Sequence, residues 1–492
     1  MQNLPTQLYR AQQVRDLDRI AIEQYSIPGF DLMQRAALAV FNHIRLAYPA
    51  AQTWAIFCGG GNNAGDGYAI ATLAMASGLK IRLFSVADTD RLQGDALLAY
   101  QQFIEAKGQV IAYVAGCLID ADVIVDALLG TGLNKLVSGL YVQAIENINA
   151  SQIPVVAVDI PSGLNADTGN PMPCAVKAHS TVSFIGLKQG LLTGLAADFC
   201  GDIIFAGLGL PAEVCASITP SAFRVTQMDF PRRPRYAHKG HFGHVLVVGG
   251  DYGYTGAARL AAEAALRVGA GLVSIATRVA HAGQMNLNRP EMMSTGVENA
   301  AQLQVLLNKA SVVVIGPGLG QTDWAKALLL AVLQAGKPMV VDADALNLLA
   351  LAPSQHKHWV LTPHPAEAGR LLARPTAAVQ EDRFAAVTAL QAKYGGVVVL
   401  KGAGTLIKSA QDITLSSTGN PGMASGGMGD VLTGVIAALL AQGLALPIAA
   451  QQGVYLHGRA ADLAALQEGE RGLLASDLLP ILRRLVNNLP AH

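Results

Sequence analysis

Short apolar runs rich in β-branched residues recur along the chain, separated by stretches whose apolar positions repeat at helical spacing. In the first half the runs are TWAIFCG (53–59), KIRLFSV (80–86), DVIVDAL (122–128), PVVAVDI (154–160) and STVSFIG (180–186). Segments such as GYAIATLAMASG between them predict helices. A second series follows: HVLVVGG (244–250), GLVSIAT (271–277), SVVVIGPG (311–318), PMVVDAD (338–344), HWVLTPH (358–364) and GVVVLKG (396–402). Strands alternating with helices predict mostly parallel sheets covered on both faces. Between the two series DFPRRPRYAHKGHFGH (229–244) has no apolar period and reads as a connection. The pattern gives two tandem α/β domains, 1–222 and 241–492, joined by a linker over 223–240.

Composition sharpens this picture. Hydrophobic residues make up 51% and charged residues 14%, which excludes a disordered chain and allows large cores. Basic and acidic residues balance at 35 each, so the electrostatic basis of non-specific nucleic-acid binding is missing. The five cysteines are scattered without a C-x-x-C pair, as expected in a reducing compartment, the cytoplasm. The opening MQNLPTQLYRAQQVRDLDR carries charges where a signal peptide needs an apolar core. Residues 431–456 lack charge, but Gln442, Pro447, Gln451 and Gln452 interrupt them. They predict a buried helix followed by a second helix, and no membrane span. His238, His241 and His244 read as loop histidines, since no acid or cysteine completes a ligand set.

Chemistry concentrates in loops that follow strands. CGGGNNAGDGY (58–68) joins a strand to a helix, and its glycines let main-chain amides approach a phosphate. Gly59-x-Gly61-x-x-Ala64, with Asp88 further on, also meets a loose dinucleotide fingerprint. A plain structural turn is the competing reading, but Asn62, Asn63 and Asp66 exceed the needs of either. Asp126 in VIVDALLGTGLNK and Asp159 in VVAVDIPSGL each follow an apolar strand. Oxygens of Asn63, Asp126 and Ser162 suit a hard cation, which leaves Asp159 as the best-placed acid–base group.

In the second half GGDYGYTGAA (249–258), GPGLG (316–320), TPHPAE (362–367), KGAGT (401–405) and GNPGMASGGMGDVLTG (419–434) stand out. The last places the amides of Gly427, Met428 and Gly429 at a helix start, aimed at an anion, with Asp430 at the edge to take a hydroxyl proton. A helix-capping role for Asp430 is the bland alternative. No G-x-x-x-x-G-K-[ST] is present, so this is not a P-loop enzyme.

GNNAGDG, VDALLGTGL and DIPSGL together resemble the NAD(P)H-hydrate epimerase domain of the bifunctional NAD(P)H-hydrate repair enzymes, over most of residues 10–215. HKGxxGHVLVVGG, GYTGAARLAAEAALRVGAGL, GPGLG, TPHPAE, KGAGT and GMASGGMGDVLTG resemble the ribokinase-like, ADP-dependent NAD(P)H-hydrate dehydratase, over about 228–489. The resemblance implies a Rossmann-like three-layer domain followed by a ribokinase-like domain. It implies that Asn62, Asn63, Ala64, Gly65 and Asp66, with Gly130, Thr131, Gly132, Leu133, Asn134, Lys135, Leu136 and Asp159, meet the hydrate in the first domain. Asn63, Asp126 and Ser162 match potassium ligands. In the second domain Ala257, Gly318, His364 and Asp430 would meet the hydrate, and Lys401, Gly402, Ala403, Gly404, Thr405 and Gly429 the adenine nucleotide. Asp342 and Asp344 stand either near magnesium or in structural roles at a strand end. Ala64 replaces a glycine usual in the family, which at a positive-φ position would cost about 1 kcal/mol or more.

The implied activity interconverts R and S hydrates of NADH and NADPH, then dehydrates the S form with ADP as co-substrate. Asp159 and Asp430 are the expected proton carriers. Small molecules are the expected partners, with no nucleic acid and no membrane, and the chain is expected to form a homo-oligomer. The rival readings are a kinase for a vitamin-like alcohol, a nucleotide-sensing protein and a nicotinamide oxidoreductase.

Overall fold

The computed structural model describes residues 4–489. It divides into two compact units, Met1–Phe223 and Arg224–His492.

In the first unit a short strand Gln7–Leu8 (β1) precedes the main sheet. The sheet comprises Thr53–Cys58 (β2), Lys80–Ser85 (β3), Val110–Ala112 (β4), Val123–Ala127 (β5), Val155–Val158 (β6), Ser180–Phe184 (β7) and Asp202–Ala206 (β8). Its order is β4-β3-β2-β5-β6-β7-β8, and every pairing is parallel. The chain runs outward from β2 through β3 and β4, then returns to build the other side from β5. The β2/β5 junction is therefore the switch point where open α/β sheets place ligands. Buried residues pack against both faces of this sheet, which explains why the central strand β6 is apolar throughout and β2 nearly so, rather than alternating. The strand Ala222–Arg224 (β9) closes the unit, with Phe223 and Ala222 paired to Gln7 and Leu8 of β1.

The second unit holds His244–Val248 (β10), Leu272–Thr277 (β11), Met293–Gly296 (β12), Val312–Ile315 (β13), Met339–Val341 (β14), Trp359–Leu361 (β15), Val397–Leu400 (β16), Thr405–Lys408 (β17) and Ile413–Ser416 (β18). Their order is β18-β17-β16-β15-β14-β13-β10-β11-β12. Pairings from β10 to β16 are parallel, and β16, β17 and β18 form an antiparallel extension. Here the switch point lies between β10 and β13.

The uncharged run forms two helices, Met428–Ala441 and Leu446–Glu468, the second with a proline in its first turn. The first helix is buried from Val431 to Leu440 in the core of this unit, so it is apolar all round. A Cβ on Gly434 would stand 2.0 Å from Ala261 O, which shows how closely it crosses the helix Thr255–Val268. Among the described residues no helix is long and apolar enough to cross a membrane.

Residues 225–238 contain no helix or strand, yet they are tied to the second unit. Met228 N donates to Gln452 Oε1 at 3.0 Å, and Gln452 Nε2 donates to Thr226 O at 3.0 Å. The Arg233 guanidinium lies 3.6 Å over the Phe242 ring. His238 and His241 stack on each other with centroids 3.8 Å apart, and His244 bonds to Ser274 Oγ.

Candidate active sites

In the first unit the loops after β2, β5 and β6 surround a cavity of about 660 Å³. Asn62, Asn63, Asp66, Gly130 to Lys135 and Asp159 all line it. A Cβ on Gly59 would stand 1.9 Å from Leu128 O, so only glycine lets the first two loops meet. Three residues expected at the site stand off the cavity wall. Leu136 is exposed, Gly65 packs against Met33 and Ala96, and Ala64 is fully buried. Ala64 lies inside the helix Asn62–Ala76 with ordinary helical backbone, so its methyl carries no positive-φ penalty. Asp88 is not on the cavity wall; it accepts from Asp90 N at 3.1 Å and caps a turn.

Asp126 is fully buried at the end of β5. It accepts from Ser162 N at 2.8 Å and Ser162 Oγ at 2.6 Å, and Ser162 Oγ in turn accepts from Leu129 N at 2.8 Å. Burial pushes its carboxyl up to about 6, against these hydrogen bonds. Nearby, Asn63 Nδ2 is buried without a hydrogen-bond partner. Exchanging the indistinguishable ends of that amide puts an unpartnered oxygen there instead. One buried carboxylate, one hydroxyl and one amide oxygen make a donor set that fits a hard monovalent cation.

Asp159, the first residue after β6, adopts φ +69 at the start of the loop that follows it. Its Oδ1 accepts from Lys188 Nζ and, at 3.3 Å, from Phe184 N. Lys188 is fully buried, and its ammonium also reaches Ser183 Oγ at 3.1 Å and Phe184 O at 3.0 Å. Sequence reasoning missed Lys188, together with Arg15, Asp18, Asp95 and Tyr141, which line the same cavity. The available signal was a lone lysine in the otherwise apolar, glycine-rich stretch FIGLKQGLL.

In the second unit five loops interlock beyond the carboxyl ends of the parallel strands. Asp251 N donates to Gly318 O at 2.6 Å, and Lys401 N donates to Pro363 O at 2.9 Å. Gly316, at φ +126, would place a Cβ 1.8 Å from Asp342 O, so the turn after β13 closes on the turn after β14. His364 caps the helix Pro365–Leu372, accepting from Ala366 N at 3.1 Å, while Glu367 Oε2 accepts from His364 N at 2.7 Å. Ala257 sits half-exposed in the first turn of the helix Thr255–Val268.

Gly427, at φ +88, turns the chain into the helix Met428–Ala441. Among the described residues no main-chain carbonyl accepts from the amides of Gly427, Met428 or Gly429. Against this first turn lies a buried pair: Lys401 Nζ is 2.8 Å from Asp342 Oδ1, and Thr433 Oγ1 is 2.9 Å from Asp342 Oδ2. Burial would raise the Asp342 carboxyl, but the Lys401 charge and these hydrogen bonds prevail and hold it below the usual range. Asp430 is pushed up to about 7, by burial first and then by the charge of Asp342. Glu367 rises to about 7, mainly through burial. Gly402 to Thr405 form the turn between β16 and β17, with Gly402 at φ +137 and Gly404 at φ +61. Arg383, buried and unnoticed in the sequence, supports that turn through Leu400 O at 3.2 Å and Lys401 O at 3.3 Å.

Asp342 has both oxygens engaged, and Asp344 Oδ2 accepts from Gly320 N at 2.8 Å. Asp342 is thereby taken up in structural contacts, while Asp344 keeps its second oxygen and the choice between a magnesium-side and a structural role stays open for it. Among the described residues no group of three or more histidine, cysteine, aspartate or glutamate side chains is arranged to hold a metal.

Residues 29–190 match the family described as YjeF-related protein N-terminus, and residues 245–484 the family described as NAD(P)H-hydrate dehydratase. The bifunctional NAD(P)H-hydrate repair enzyme Nnr of Coxiella burnetii is 48% identical over 488 residues, 98% of this chain and 100% of its own length. The Escherichia coli K12 enzyme of the same name is 44% identical over 490 residues, 99% of this chain and 95% of its own. Among solved structures, the ADP/ATP-dependent NAD(P)H-hydrate dehydratase from Bacillus subtilis, co-crystallized with ATP and Mg2+, is 32% identical. It covers 53% of this chain and 94% of its own, with a TM-score of 0.48.

Proposed function

This chain belongs to the bifunctional NAD(P)H-hydrate repair enzymes, and we propose that its two units carry out successive steps of one repair. Water added across the ring double bond beside the nitrogen of NADH or NADPH gives R and S hydrates that no longer donate hydride. The first unit interconverts them in its cavity, with Asp159 moving the proton. Asn63, Asp126 and Ser162 would hold a potassium ion, whose charge keeps Asp126 ionised and draws the loops after β2, β5 and β6 together.

The second unit acts on the S hydrate. Hydroxide leaves poorly and phosphate leaves well, so phosphorylating the ring hydroxyl prepares it for elimination. ADP bound by Lys401 to Thr405 and Gly429 presents its terminal phosphoryl group to the amides of residues 427–429. Those amides and the Lys401 ammonium stabilise the transferring charge. Asp430, with an apparent pKa near neutrality, takes the hydroxyl proton. Ala257, Gly318 and His364 bound the hydrate. AMP and phosphate leave, and the double bond returns. A magnesium ion would arrive on the nucleotide's phosphates rather than in a protein cage.

The observation that carries this reading is the position of Asp430, in the first turn of a helix whose leading amides are free and which abuts the Lys401–Asp342 pair. Relatives that match over the whole chain disfavour the alcohol-kinase alternative. The unpaired cysteines are consistent with a place in the cytoplasm. Assembly as a homo-oligomer belongs to the same reading and is checked by particle mass in solution. The direct test is stoichiometry: each S hydrate consumed yields one AMP, one phosphate and one reduced cofactor. Hydrate loss without AMP contradicts it.

A further inference from the structure

The first cavity holds more acid than the chemistry assigned to it uses. Asp18, Asp66, Asp95 and Asp159 all line it, from four different segments of the chain. Arg15 and Lys135 on its rim are exposed, and Lys188 is the one buried cation among the lining residues. The three N–H groups of Lys188 are engaged by Asp159, Ser183 and Phe184, so none remains for a second acid. Asp66 has no hydrogen-bond donor among the described residues, and the buried Cys58 thiol beside it is no cation. Burial first, and then the charges of Asp159 and Asp18, push the Asp66 carboxyl well above the usual range. Asp18 is raised too, by burial and by Asp95 and Asp159. Carboxylates that share one desolvated site divide into proton-bearing and ionised members, and such a division identifies the acid and the base.

We infer that Asp66 and Asp159 form the acid–base pair of the epimerisation, Asp66 giving a proton to the departing hydroxyl and Asp159, fixed by Lys188, receiving one from the water that returns. The inference rests on the reading of Asp159 given above. The hydroxyl-bearing carbon adjoins the ring nitrogen, whose lone pair forms a C=N bond as the C–O bond breaks. The proton of Asp66 goes to the leaving oxygen, so water departs and Asp66 becomes a carboxylate. Water then adds to the opposite face of that carbon, the electron pair returns to nitrogen, and Asp159 takes the released proton. One proton passed from Asp159 to Asp66 through water restores the starting state. Lys188 is a positioning residue: it touches Asp159, not the reacting carbon.

The test follows epimer exchange in the full chain across pH, without nucleotide so that the second unit is idle. Asp66→Asn is expected to slow exchange by about a hundredfold or more and to remove the decline at alkaline pH. Lys188→Met, which frees the Asp159 carboxylate to turn, is expected to lower kcat about tenfold at unchanged KM, with Lys188→Arg restoring the parent rate and profile. Asp66→Asn exchanging at the parent rate with an unchanged profile overturns the inference while leaving Asp159 as the base. Asp159→Asn exchanging at the parent rate overturns the reading beneath it as well. Should Lys188→Met fail to fold, Asp66→Asn and Lys188→Arg decide, and a Lys188→Arg profile identical to the parent supports the positioning role.

Discussion

The Lys401 ammonium lies 2.8 Å from Asp342 Oδ1, and a Cβ on Gly429 would stand 3.2 Å from the same ammonium. The pair thus braces the first turn of the helix Met428–Ala441, the turn proposed to meet the nucleotide. Asp342→Asn removes the nearer counter-charge of a largely buried lysine, leaving Glu367 Oε2 at 3.9 Å, and is expected to cost about 3 kcal/mol of stability, measured by denaturant unfolding. The Asp342 carboxyl is held below its ordinary value in the folded state. Its stabilisation is therefore full above the unfolded pKa of about 4 and fades as pH falls through the lower folded value. Gly429→Ala is expected to displace the ammonium and lower turnover about tenfold, with little change in melting temperature.

Asp430 is expected to set the pH dependence of dehydration. A base at about 7 works when ionised, so the rate on the S hydrate is expected to rise with pH through about 7 and then level. Asp430→Asn is expected to lose about a hundredfold or more while the nucleotide still binds, as titration calorimetry would report. Equal loss of binding would make Asp430 part of the nucleotide pocket instead.

Potassium and Asp126 are expected to be linked through stability. Folding raises the Asp126 carboxyl to about 6, so its contribution is full below about 4 and lost as pH rises through 6. A cation that holds Asp126 ionised reverses that loss. At neutral pH, potassium is therefore expected to raise the melting temperature of the parent above that in a large organic cation, and Asp126→Asn is expected to abolish the difference.

The central strands and the loops after them were legible because continuous β-branched runs have few alternatives to a buried parallel strand. The edge strands β4, β8 and β12 and the antiparallel extension β17 and β18 were not, being short and in several cases half-exposed, which weakens any pattern. Asn63, Asp126 and Asp159 stood out as polar groups at strand ends. Lys188 was hidden for the opposite reason: the apolar stretch around it hints at burial, but its partner Asp159 joins it only after the chain has traversed β7. Glu367 and Thr433 were visible in their motifs, but their partnerships with His364 and Asp342 depend on the closing of loops far apart in sequence.

The two units are expected to fail independently. Asp159→Ala should stop conversion of R to S hydrate yet leave repair of pure S hydrate at the parent rate, followed by chromatography of the epimers. Loss of both activities together would mean that the two sites are coupled.

The account as a whole turns on one assay: purified chain, a mixture of both hydrates, potassium, magnesium and ADP, followed by the near-ultraviolet absorbance of reduced nicotinamide. Complete recovery by the parent, recovery of the S portion alone with Asp159→Ala, and none with Asp430→Asn is the expected result. An unchanged absorbance with the parent, or full recovery with Asp430→Asn, would contradict it.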